Sequence, residues 1–477
     1  MRSLFRRPWP VTAAVILALA LVLGSSLFLS QHAFAAASSV QLTQLSSDPY
    51  TNKSSQHKTE VEPDTYSFGS TIVEAFQAGR FSSGGGSSNI GWATSTDHGT
   101  TWKNGFLSGI TVYAGGTYKR ASDSAVAYDA AHNTWLISSL GMSVKNGSVV
   151  GAAILVSRST DGGLTWGKPV AVSIGGSSDN LDKEWVVCDE TGSSPYYGHC
   201  YAQWDNRNLN SRILMSTSTD GGLTWGSPKS PPNQSFSALG GQPLVQPGGT
   251  VIVPIYGTDF TTNIDHIYAY TSTNGGASWN APVAVSPVTY HIQQATYRGG
   301  SLPSAEIDQA GTVYVVWADC RFETNCSTDD IVMSTSTDGV TWTAVQRIPI
   351  DPIGSIVDHF TAGIAVDKNT AGSQAHLAMT FYYFANTNCT NSTCQLYAGF
   401  VSSINGGASW SPNVQLAGPM SLSWLANTTD GYMTGDYIST SIVGSQAYPG
   451  IAVAFAPQHG KLAESIYTAA LNVVGGP

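Results

Sequence analysis

The sequence predicts an all-β chain assembled from a repeated unit, and three observations carry that reading. Fifty Gly and 22 Pro make up about 15% of the chain, above the roughly 12% of average usage, which suits a protein of many turns. Only 11% of residues are charged, yet there are 13 Trp and 21 Tyr, a balance that argues against coiled coils and highly helical enzymes. Third, the pattern S-x-D-x-G-x-T-W recurs along the chain, and recurrence at a steady period marks a repeat architecture. The 42% hydrophobic content is enough for a large core and excludes disorder. A formal net charge of −10 without Lys/Arg clusters argues against nucleic acid as a partner.

Residues 1–35 read as a signal peptide. Arg2, Arg6 and Arg7 form a basic start, Val11 to Leu29 is apolar, and Ala33-Phe34-Ala35 offers a small-x-small cleavage site. An uncleaved membrane anchor is the alternative, since the apolar run is long enough to span. Cleavage leaves 18 basic against 31 acidic side chains, a net charge of −13. No Cys near the cleavage site could take a lipid. The expected product is a secreted, extracellular monomer, 36–477, forming one domain without membrane attachment.

The repeat sets the order of elements. It runs Ser95 to Trp102, Ser159 to Trp166 and Ser218 to Trp225, with Asp97, Asp161 and Asp220 in the third place. Ser272 to Trp279 and Ser403 to Trp410 carry Asn274 and Asn405 there, and Ser336 to Trp342, with Asp338, is one residue shorter. Each copy follows an alternating strand such as Ala153 to Ser157 and precedes another, so it reads as a hairpin turn. Asp or Asn accepts hydrogen bonds from the turn, Gly takes the positive-φ position, and Trp buries its ring between neighbouring sheets. These are structural rather than catalytic aspartates.

The six copies resemble the Asp boxes (BNR repeats) of sialidase-like β-propellers. The resemblance implies four-stranded blades with the boxes in the turns between third and fourth strands. Box-to-box spacings of 64, 59, 54, 64 and 67 residues average about 62, longer than the ~40–45 of a WD40 blade. The mature chain holds seven such units, and a seven-bladed propeller is expected, with the six blades of well-known sialidases as the alternative. The last unit, Tyr437 to Val443, Gly450 to Phe455 and Ser465 to Leu471, has no box. Val40 to Leu45 is expected to supply its fourth strand and close the ring.

Six cysteines fall as three close pairs, Cys188 with Cys200, Cys320 with Cys326, and Cys389 with Cys394. Fifteen connectivities are possible, but short-loop closure favours the three local disulfides, and zinc spacings are absent. The glycine runs Gly84 to Gly86 and Gly162-Gly163 open no helix, so no cofactor is expected. A structural calcium among the loops is left open.

By analogy with propellers, chemistry belongs on the face opposite the boxes, at the ends of second strands and the starts of first strands. Arg80, Arg207 and Arg321 end three second strands, and a guanidinium fork suits a carboxylate. Glu62, Arg120 with Asp123, Asp182-Lys183-Glu184, Gln242, Glu306, Asp358-His359 and Asp436-Tyr437 mark first strands. Glu306 with Arg321 resembles the sialidase glutamate and arginine that share a hairpin, and Tyr437-Ile438-Ser439 resembles the segment carrying the sialidase nucleophile. The chain departs from that family in lacking a Phe-Arg-Ile-Pro motif and any arginine between Arg347 and Tyr437. The resemblance implies an exo-acting glycosidase for a sialic-acid-type sugar. Arg80, Arg207 and Arg321 would bind the carboxylate, Tyr437 attack, Glu306 take its proton, and Asp182 or Asp123 protonate the leaving group. The alternatives are a non-catalytic glycan- or protein-binding propeller and a uronate lyase.

Overall fold

Strands form where short alternating runs lie between turn signals, and their pairings fall into seven successive antiparallel units. The computed structural model describes residues 40–292 and 295–476; the expected signal peptide lies outside them. The first unit pairs Glu60–Phe68, Thr71–Arg80, Ser87–Ser95 and Lys103–Phe106 in order. The next five follow the same meander, the third ending in a single bridge between Met215 and Lys229. Their innermost strands are Arg120–Asp129, Leu181–Cys188, Leu244–Val245, Ser304–Ile307 and Asp358–Val366, and Ser439–Val443 begins the seventh unit. Each innermost strand contacts the next and the seventh contacts the first, so they close a ring. This is a β-propeller.

Closure happens where the sequence places it. Thr43–Gln44 pairs with Glu464–Thr468, and Leu45 N–H donates to the Ile466 carbonyl at 2.8 Å. The seventh unit needs no third-to-fourth turn because its outer strand arrives from the other end of the chain. Leu45 is buried with Phe76, Ala93, Ala452 and Ile466, so one leucine joins the first and last units.

The five eight-residue boxes share one geometry, and the shorter one at Asp338 closes one residue earlier. In the second, Asp161 accepts from the Ser159 hydroxyl at 2.8 Å, the Thr165 N–H at 2.9 Å and the Thr165 hydroxyl at 2.6 Å. Where Asn replaces Asp, Ser replaces Thr. Asn274 Oδ1 still accepts from the Ser278 N–H at 2.9 Å, while its amide nitrogen donates to the Ser278 hydroxyl at 2.7 Å. The box glycine meets the preceding unit: a Cβ on Gly163 (φ +80°) would stand 2.8 Å from Val73, and one on Gly407 2.7 Å from Met333. The box tryptophan also packs backwards, Trp166 onto the core of the first unit beside Trp92. Hydrogen bonding from Thr101 and Ser95 holds exposed Asp97 at about 2.

The cysteines pair locally. Cys188 bonds Cys200 across the first hairpin of the third unit, where the two stand directly opposite in register. Cys320 bonds Cys326 and Cys389 bonds Cys394, each closing one short loop after a second strand.

Candidate active site

Four innermost strands carry the same irregularity near their starts. Two residues stand opposite one between Val61 and Asp64, Ser122 and Ala125, Asp182 and Trp185, and Phe360 and Gly363. At these bulges Glu62, Asp123, Lys183 and Thr361 adopt φ of +55°, +47°, +48° and +48°. A left-handed non-glycine residue costs on the order of 1–3 kcal/mol, and such strain clusters at functional sites. All four are buried, and three are charged types. The bulges re-aim these side chains at one end of the ring axis.

Two long crossings complete that end. The segment after the fourth unit and the one after the sixth pair through a bridge between Tyr297 and Tyr432, and Arg298 N–H donates to the Tyr432 carbonyl at 2.7 Å. Arg298 thereby meets Asp436, with Nε donating to Oδ1 at 2.6 Å and Nη2 to Oδ2. Asp436 N–H donates to Glu62 Oε1 at 3.1 Å, and the Gln77 amide donates to Glu62 Oε2. Lys183 Nζ lies 3.6 Å from Asp123 Oδ1, and Asp182 pairs with Arg207 at 3.3 Å. These groups form one cluster at this end of the axis, with Asp182 and Asp436 each about one-fifth exposed. Beside it, a cleft of about 550 Å³ is walled by Tyr256, Tyr290, Tyr297 and Phe360 as well as Arg298 and Asp436.

The environments push these carboxyls apart. Burial, aided by Asp436 and Asp123, raises Glu62 to about 7. Burial and then Asp123 raise Asp182 to about 6, against the opposing charge of Arg207. Burial acts the same way on Asp436, but the charge and hydrogen bonds of Arg298 overcome it and hold Asp436 at about 2. A site holding protonated and ionised carboxyls together near neutral pH has the makings of acid–base chemistry.

The expected site residues divide. Asp123, Asp182, Arg80 and Tyr437 converge on this end; Glu306 does not. In the fifth unit only Ser304–Ile307 pairs, and Glu306 faces Tyr314, deep along the hairpin toward the box side. It lines an axial channel of about 230 Å³ to which all seven innermost strands contribute, among Asp64, Tyr66, Glu190 and Lys368. The hairpin therefore does not bring Glu306 to Arg321 or to Tyr437, because the upper half of that strand leaves the sheet for the crossing. Arg321 instead closes on its neighbour Asp319, Nε to Oδ1 at 2.9 Å. Arg207 is largely exposed beyond its contact with Asp182. Arg80 is fully buried, giving Nη1 to the Gly86 carbonyl at 2.8 Å and to Gln77 at 3.3 Å. Tyr437 donates its hydroxyl to the Ser124 carbonyl at 3.0 Å, and burial together with Glu62 and Asp123 raises its pKa well above the ordinary value. Arg298 escaped the sequence reading because it lies in a crossing, away from any strand end; its rarity, one of eight arginines after residue 35, was the available signal.

The disulfides stand outside this chemistry. Cys188 reaches the wall of the axial channel, whereas Cys200, Cys320, Cys326, Cys389 and Cys394 line neither the channel nor the cleft. All six sulfurs are consumed in the three bonds, so none is a nucleophile or a metal ligand. Among the described residues, Asp330, Asp351 and His359 bring ligand-type atoms within 4.8 Å of one another. Arg347 Nη2 sits 2.7 Å from both carboxylates and takes the place a cation would use.

Solved structures of similar shape include the Hadza microbial sialidase Hz136 (14% identity, 85% of this chain and 74% of that one, TM-score 0.47). Another is the NanB sialidase from Streptococcus pneumoniae (14%, 91% and 70%, 0.44). A third is the α-L-arabinofuranosidase Arb93A from Fusarium graminearum (13%, 76% and 98%, 0.46). At these identities no residue role passes from them to this chain. No curated protein matches it in sequence. Residues 153–433, more than half of the chain, match the BNR repeat-like domain. With its six boxes and its ring of sheets, the chain belongs to the BNR repeat-like family and folds as a β-propeller.

Proposed function

We propose that the chain is an exported glycoside hydrolase that cleaves a terminal sugar at this end of the ring axis, with Asp182 as general acid and Asp123 as the facing carboxylate. The observation that carries this is the bulge that sets partly exposed Asp182, paired with Arg207 at 3.3 Å, next to Lys183, whose ammonium lies 3.6 Å from bulge-strained Asp123. Asp182 is one-fifth exposed, so a leaving-group oxygen can reach it. A carboxyl with a midpoint near 6 is still partly protonated at neutral pH and can donate. The aromatic-walled cleft beside this cluster suits the remainder of a glycan. Export agrees with the residues 1–35 pattern and with three disulfides.

The arginines bear on the sugar. Arg207, Arg298 and Arg321 already hold carboxylates, and Arg80 is buried against neutral acceptors. With these guanidiniums occupied, they offer no free fork to an anionic substrate. An uncharged sugar therefore fits best. A carboxylated, sialic-acid-type sugar is the second reading, favoured by Arg298 alone, which would exchange Asp436 for the substrate. Tyr437 would then serve as nucleophile only after its hydroxyl leaves the Ser124 carbonyl.

A panel of methylumbelliferyl glycosides, neutral and sialyl, together with uronate polymers followed by ultraviolet absorbance, separates the readings. Turnover of a neutral glycoside supports the first reading and turnover of the sialoside the second. Unsaturated uronate release, or glycan binding without any turnover, refutes the hydrolase.

A further inference from the structure

Lys183 carries two costs at once. It holds the left-handed position of the third unit's bulge at φ +48°, and it is 4% exposed with an ammonium that donates no hydrogen bond among the described residues. Strained backbone and an unsolvated cation are each unfavourable and persist only where the surroundings impose them. The ammonium lies 3.4 Å from the centroid of the Tyr437 ring and 3.6 Å from Asp123 Oδ1, with the Trp185 ring 5.7 Å away. Trp185 in turn meets Tyr437 edge-on at 5.2 Å. A cation over an aromatic face is attracted by the ring's quadrupole, more strongly when desolvated. The arginines at this end hold carboxylates or backbone carbonyls, so Lys183 is the cation committed to Asp123 and Tyr437.

We propose that Lys183 is a positioning residue for the reaction: its ammonium, wedged between Asp123 and the face of the Tyr437 ring, fixes both and sets the charge beside which Asp182 works. This rests on the hydrolase reading given above. Glu62, Asp123, Asp182, Glu184 and Asp436 surround the ammonium, with Arg80, Arg207 and Arg298 as the other cations and Tyr437 beneath it. Every one of those carboxyls contributes to the local balance, so the sign is fixed by what Lys183 does to the acid. A positive charge lowers the midpoint of Asp182, and removing it raises that midpoint. Because Asp182 acts protonated, the descending limb of the kcat/KM profile moves to higher pH.

The test compares Lys183→Met and Lys183→Arg in the full chain. Lys183→Met should move the descending limb up by about half a pH unit or more, a roughly three-fold change in acid dissociation, and Lys183→Arg should return most of it. A second readout needs no substrate: 3-fluorotyrosine incorporated throughout gives a fluorine resonance for Tyr437, assigned with Tyr437→Phe. That resonance should shift in Lys183→Met and recover in Lys183→Arg. An unmoved resonance in folded Lys183→Met overturns the proposal whether or not any glycoside turns over. A moved resonance with an unmoved limb overturns the link to Asp182. If Lys183→Met does not fold, Asp123→Asn replaces it: loss of the one anion at 3.6 Å must shift the Tyr437 resonance, and an unchanged resonance refutes the wedge.

Discussion

Glu62→Gln should make the protein more stable at pH 8 while changing little at pH 4.5. Glu62 is 1% exposed, and burial with Asp436 and Asp123 beside it raises its carboxyl from 4.5 to about 7 in the folded chain. An acid raised on folding stabilises fully below its unfolded midpoint, and that stability is lost as pH rises toward the folded value. The wild type should therefore lose roughly 3 kcal/mol from this group between pH 4.5 and 7 and little more above it. Glutamine keeps the shape, and its carbonyl can accept from Asp436 N–H where Glu62 Oε1 does so at 3.1 Å. The Gln77 amide, which donates to the other oxygen, turns over to present its carbonyl. Urea unfolding of both proteins from pH 4.5 to 8.5 measures the effect. The curves should meet at the acid end and separate by a few kcal/mol above pH 7. A constant offset across the range, or a gap that widens toward acid, would show that Glu62 is not held as a buried neutral carboxyl.

Two further outcomes test the frame around the site. Leu45→Ala should cost roughly 2–5 kcal/mol, a large loss for a residue so near the start of the described chain, because it removes buried contact between the first and last units. A loss below about 1 kcal/mol on denaturant unfolding would mean the closing strand does not hold the ring. Asp161→Ala removes the acceptor used by Ser159, Leu164 and Thr165 and should cost on the order of 1 kcal/mol, lowering Tm. Any glycosidase activity should be unchanged, and a drop in kcat with unchanged Tm would give the boxes a chemical role they lack in this account.

The frame was legible in the sequence because its signals are local. A box needs only eight consecutive residues to make a hairpin, and the missing seventh box already implied an outer strand from elsewhere, which Thr43–Gln44 supplies. Cysteine spacing sufficed for the same reason: closing the short loops from Cys320 to Cys326 and from Cys389 to Cys394 costs little chain entropy. The site was less legible because its geometry is set by departures from regular pairing. Nothing in Ser122-Asp123-Ser124 announces a left-handed Asp123, since a bulge without glycine leaves no compositional mark. Arg298 reaches Asp436 only because two crossings, more than a hundred residues apart in sequence, pair at Tyr297 and Tyr432. Glu306 went the other way: its spacing from Arg321 fitted a full-length hairpin, but Ser304–Ile307 is the short lower half of one, which carries Glu306 toward the box side.

The central claim is that Asp182 donates a proton to a departing sugar oxygen. Its most direct test is to compare wild type and Asp182→Asn on two glycosides of the same sugar, one with a poor alkyl leaving group and one with dinitrophenolate, which needs no proton. Asp182→Asn should lose roughly 10²–10⁴-fold in rate on the alkyl glycoside, keep most of its rate on the dinitrophenyl one, and lose the descending limb of the pH profile. Equal losses on both substrates, or a descending limb that survives the substitution, would contradict it.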